Sequence, residues 1–95
     1  MNNLPKNNIN EITNSKITNH NAYVQIPDNF KLVIVYFSIG YMEQFFSAII
    51  VKGFNEKISY YASEKEIEIQ LINNKIYLTD KGEEWDAFIQ KVYYM

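Results

Sequence analysis

The sequence predicts a small α+β domain, mainly helical, behind a disordered N-terminal tail. Three observations carry that expectation. Trp85, Phe88, Ile89, Val92 and Tyr93 fall at i, i+3, i+4, i+7 and i+8, one face of an amphipathic helix. Ser63 and Glu66 have the S-x-x-E spacing of a capping box. Tyr41, Met42, Phe45, Phe46, Ile49 and Ile50 recur near helical spacing inside a long apolar stretch.

Composition bounds the rest. Ninety-five residues make one domain with one modest core, filled in part by eight Tyr, six Phe and one Trp. There is no Cys, so disulfides, thiolate zinc sites, iron–sulfur clusters and thiol nucleophiles are excluded. The net charge is −2, and every basic residue is Lys. Without Arg, the usual fork for phosphate and guanine is missing, which counts against nucleic acid as a partner. The start, "MNNLPKNNIN", lacks the apolar core of a signal peptide, so the expected setting is cytoplasmic.

Residues 1–22 are polar and hold eight Asn, and they read as a flexible tail. The only His, His20, lies there and reads as solvated. Residues 23–95 read as a single domain. Tyr23, Val24 and Ile26 suggest a short edge strand that Pro27 ends, since Pro has no N–H for a ladder. Residues 30–54 read mostly as helix, with Gly53 as its C-cap. A strand "KLVIVYF" followed by a helix is the rival there, because periodicity cannot separate a buried strand from a buried helix. Leu32–Val51 is also long enough to span a bilayer, but Glu43 near its midpoint costs about 3 kcal/mol and disfavours a membrane. Glu64 to Ile72 reads as a helix. Its rival is a hairpin, "IEIQLINNKIYLT", turning at Asn73-Asn74.

The stretch "KIYLTDKGEEW" passes from a strand through Leu-Thr, two polar residues and Gly into a helical pattern. That order resembles the wing-to-helix corner of winged-helix domains. Leu78, Thr79, Lys81, Gly82, Trp85, Ile89, Gln90 and Tyr93 also follow a longer pattern. Through them, "IYLTDKGEEWDAFIQKVYY" resembles the extreme C-terminal segment of the oxygen-independent coproporphyrinogen oxidase-like radical-SAM family, the haem-utilisation branch in particular. The resemblance implies a winged-helix-like accessory domain detached from its catalytic barrel, with a tetrapyrrole among its admissible ligands. That family's radical chemistry needs Cys ligands, and this chain has none, so no catalytic residue carries over.

No catalytic constellation stands out, and the chain reads as a non-enzyme with no cofactor. The acids at Glu64, Glu66 and Glu68 sit two apart and read as a solvated face. A winged-helix DNA-binding regulator is the alternative, but a recognition helix "SEKEIEIQLI" with three Glu and one Lys would repel phosphates. The surplus of Tyr points to a contact surface. The expected function is a binding module for a larger protein or a flat, porphyrin-like ligand, with Tyr60, Tyr61, Tyr77 and Trp85 as its candidate surface.

Overall fold

The computed structural model describes residues 9–13, 16, 23–39, 44–62, 65–80 and 87–95. These residues form strands and turns and contain no helix. The strands are β1 (Asn10–Glu11), β2 (Tyr23–Gln25), β3 (Leu32–Ile39), β4 (Gln44–Val51), β5 (Lys57–Ala62), β6 (Lys65–Ile72), β7 (Lys75–Asp80) and β8 (Ala87–Tyr94). They make two four-stranded antiparallel sheets: sheet A in the order β1-β8-β3-β4, and sheet B in the order β2-β7-β6-β5.

The mainly helical, winged-helix-like expectation is therefore overturned. Each helical reading has a specific physical correction. In β6, Ile67, Ile69 and Leu71 are buried and alternate with Glu66, Glu68 and Gln70. Glu66 and Glu68, which a helix would spread apart, take one face of the strand, because the side-chain period of a strand is two, and Glu68 is buried there rather than solvated. The rival hairpin is the one adopted. Ile72 pairs with Lys75, and Asn73 and Asn74 form the two-residue turn with φ of 50° and 62°. A two-residue turn with both φ positive matches the twist of the flanking strands, and Asn tolerates the left-handed region.

Residues 32–39 and 44–51 are likewise strands, not helix. Strands β3 and β4 pair antiparallel along their whole length, from Leu32↔Val51 to Ile39↔Gln44. Gly53, expected as a helix cap, sits in the β4–β5 turn at φ +78°, where any Cβ would be strained. Among the described residues no helix is long and apolar enough to cross a membrane.

The C-terminal pattern is the most instructive. Ala87, Ile89 and Val92 are all buried, although the last two are three residues apart. Opposite β3, Tyr36 pairs with Lys91 and Phe37 with Ile89, so Gln90 is an extra residue in the ladder. This β-bulge shifts the phase of β8 by one, so both Ile89 and Val92 face inward. A bulged strand thus reproduces the i, i+3 spacing of a helix.

The short edge strand expected at Tyr23 is present as β2, which pairs with β7 and is followed by Pro27. The expected tail, 1–22, lies mostly outside the described residues; within it, Asn10 and Glu11 pair with Tyr94 and Tyr93 as β1. His20, Gly40, Ser63, Glu64, Lys81, Gly82 and Trp85 lie outside the described residues.

The sheets pack face to face over one core. Sheet A contributes Val33, Val35, Phe37, Ile39, Ala48, Ile50, Ile89 and Val92; sheet B contributes Val24, Ile67, Ile69, Leu71, Ile76 and Leu78. Burying each of these side chains other than Ala48 stabilises the fold by about 1.5–3 kcal/mol, the main term that offsets chain entropy. Phe37 is the central contact. Its ring stacks on Phe46 at 5.6 Å and meets Tyr60 of the opposite sheet edge-on at 5.1 Å.

Candidate binding face

The candidate surface expected from the sequence is not brought together. Tyr60 and Tyr61 are neighbours on β5 and so point to opposite sides of sheet B. Tyr60 turns inward against Phe37, and its hydroxyl donates to the Ser47 carbonyl at 3.0 Å. Tyr61 points outward, 77% exposed, and donates to Glu66 Oε1 at 3.2 Å. Tyr77 shares that outer face but lies on β7, beyond β6, where it packs on Tyr23 at 5.7 Å. Trp85 is outside the described residues.

The two outer faces of the sandwich differ in charge. Alongside the exposed Tyr23, Tyr61 and Ile72, sheet B presents Lys57, Glu66, Gln70, Lys75, Thr79 and Glu68, the last of them buried at 8% exposure. They also satisfy one another. Lys57 Nζ lies 3.4 Å from Glu68 Oε2, and Lys75 sits 4.7 Å above the Tyr23 ring.

Sheet A is apolar on its outside as well as its inside. On β3, Leu32, Ile34 and Tyr36 face outward between the buried Val33, Val35 and Phe37. On β4, Phe45, Ile49 and Val51 face outward, with Phe45 65% and Ile49 54% exposed. Their registers place Leu32 beside Val51 and Ile34 beside Ile49, so the apolar residues form one stripe across two strands. Tyr36 extends it toward Tyr93 of β8, the two rings edge-on at 5.7 Å.

The stripe carries no charge. Its flank carries one ion pair, between Lys91 of β8 and Glu11 of β1. Lys91 donates to Glu11, and that hydrogen bond, followed by the carboxylate's charge, raises the Lys91 pKa above the ordinary Lys value. Beside it, at the bulge, Gln90 Nε2 donates to Ser38 Oγ at 2.7 Å.

Sequence reasoning missed this face, but a signal for it existed. The runs "LVIVYFSI" and "FFSAIIV" are apolar at consecutive positions rather than alternate ones. A strand that is apolar on both sides is built to be covered on both sides.

The edge of sheet A is also finished in a specific way. In β4, residues 47, 49 and 51 turn their backbone groups away from β3. The Ser47 carbonyl accepts from Tyr60, and the Ile49 carbonyl accepts from Asn55 Nδ2 at 3.1 Å. The Val51 N–H donates to Asn55 Oδ1 at 2.8 Å.

Among the described residues no three His, Asp or Glu side chains gather as a metal site. A cavity of about 330 Å³ opens among Asn10, Asn29, Lys31, Tyr94 and Met95 at one end of the sandwich. Lys31 and Tyr94 are the titratable side chains of its lining.

The fold and face define a class: a small antiparallel β-sandwich with a charge-bearing outer face on sheet B and a mostly apolar stripe on the outer face of sheet A. Comparison of the chain with protein-family models, with curated proteins and with solved structures finds no match in any of the three.

Proposed function

We propose that the protein is a non-catalytic interaction module acting in the cytoplasm, and that its docking surface is the outer face of sheet A, occupied by the same face of a second copy. One observation carries this reading: Phe45, Ile49, Tyr36 and Val51 stand exposed together on the outer face of sheet A, with charge only at its Lys91–Glu11 flank, while the opposite outer face interleaves its exposed Tyr23, Tyr61 and Ile72 with charged residues.

Three features favour a second copy. The stripe has no charge to recognise a charged partner, and its one flanking ion pair is already neutral as a pair. It is the face of a sheet, and the fitting surface for a flat sheet is another flat sheet stacked about 10 Å away. The area is sufficient only when both sides supply it. The stripe offers on the order of 500 Å² of apolar surface, so two copies bury about 1,000 Å², the threshold for a specific interface. The assembly is then four layers, B-A-A-B, in which β3 and β4 are covered on both faces.

An interface at that threshold belongs with weak, transient contacts, and its area does not set its affinity. Sedimentation equilibrium from about 1 μM to about 1 mM tests the reading. A reversible dimer is expected, weakened at least about tenfold by Ile49→Lys and unchanged by Tyr61→Lys on the opposite face. Raising salt leaves an apolar contact intact. A monomer across the range, or a dimer indifferent to Ile49→Lys, overturns it. A monomer that instead shifts the absorption band of added haemin would favour the flat-ligand expectation.

A further inference from the structure

We infer that Asn55 and Tyr60 form a plug that closes the β4 edge of sheet A to strand addition, so that an extended chain, above all β4 of a second copy, cannot pair there. The inference rests on the edge and is independent of what covers the face.

Strand β4 is the hazardous edge of this sandwich. The other edges are short or charged: β1 has two residues, β2 has three and is followed by Pro27, and β5 begins at Lys57. Strand β4 has eight residues, and its run "FFSAIIV" contains no charge, no Pro and no Gly. Seven residues of high β-propensity without charge are the signature of segments that pair between chains.

Asn55 answers this by imitating a strand. A residue on an adjacent antiparallel strand offers one N–H and one carbonyl to its partner. The Asn55 side chain offers the same two groups. Its Nδ2 donates to the Ile49 carbonyl, and its Oδ1 accepts the Val51 N–H. The backbone of the same turn completes the set, because the N–H groups of Phe54 and Asn55 both donate to the Val51 carbonyl, at 3.0 and 3.2 Å. Two residues further up, the Tyr60 hydroxyl takes the Ser47 carbonyl. Four outward backbone groups between Ser47 and Val51 are thereby occupied. Tyr60 is pinned by its contact with Phe37, so the plug is anchored in the core.

Asp at position 55 would lack the donor, and Ser would be too short to reach both groups. The amide is the side chain that supplies donor and acceptor together.

The test compares Asn55→Ala and Tyr60→Phe, alone and combined, with the unaltered chain and with Ile76→Val, a core variant of similar stability loss. Amide exchange at Val51 and thioflavin-positive assembly are followed under native conditions. The combined variant is expected to exchange its Val51 amide at least about tenfold faster and to assemble at least about tenfold faster than Ile76→Val. Assembly that tracks thermal stability alone, with Ile76→Val equal to the plug variants, overturns the inference. So does a folded combined variant with a fast Val51 amide and no gain in assembly.

Discussion

Ser38 and Gln90 are joined across the β3–β8 ladder by a 2.7 Å bond from Nε2 to Oγ, at the point where β8 carries one residue too many. Ser38 is 1% exposed, and Gln90 is the unpaired residue of the bulge. The bond therefore gives the extra residue a partner in a place where water reaches poorly.

This relationship predicts an unusual deletion. Removing Gln90 brings Ile89 and Lys91 into consecutive pairing with Phe37 and Tyr36, and every other pair keeps its register. The variant is expected to fold, with a loss of about 1–2 kcal/mol for the missing bond, read from urea unfolding. Deleting Phe88 instead turns Ala87 away from the core and should abolish the cooperative transition. Equal damage from both deletions would contradict the bulge.

The β6–β7 turn offers a second prediction. Asn73 sits at φ 50° with an exposed side chain. Asn73→Gly removes the left-handed strain and is expected to change stability by less than about 1 kcal/mol. Asn73→Val puts a β-branched residue in that conformation and should cost about 1–2 kcal/mol. A shift in thermal midpoint between the two variants measures it. No difference would mean that the turn is not of this type.

The third concerns the two adjacent tyrosines of β5. Tyr60→Ala empties a site packed on Phe37 and removes the Ser47 bond, for an expected loss of about 2–4 kcal/mol. Tyr61→Ala removes a 77% exposed ring and a surface hydrogen bond, and is expected to stay within about 0.5 kcal/mol. Chemical denaturation of both variants decides whether their neighbouring side chains lie on opposite faces.

The sequence by itself determined the exclusion of thiol chemistry and the edge strand before Pro27, and it offered the Asn73-Asn74 turn only as the rival of a helix. These rest on local covalent properties: a missing N–H, a missing thiol, a side chain that tolerates positive φ. The tertiary structure decided which period each apolar run obeys. Ile89 and Val92 fit a helix until the ladder with β3 shows that Gln90 bulges between them. Residues 30–54 fit a buried helix until the register Leu32↔Val51 to Ile39↔Gln44 pairs β3 with β4. Local propensity is worth only tenths of a kcal/mol per residue, while burial of one side chain is worth about 1.5–3, so the pairing that buries most wins. The candidate face came from the same source. Phe45, Ile49 and Tyr36 are separated along the chain, and only the antiparallel register sets them side by side on one uncovered sheet.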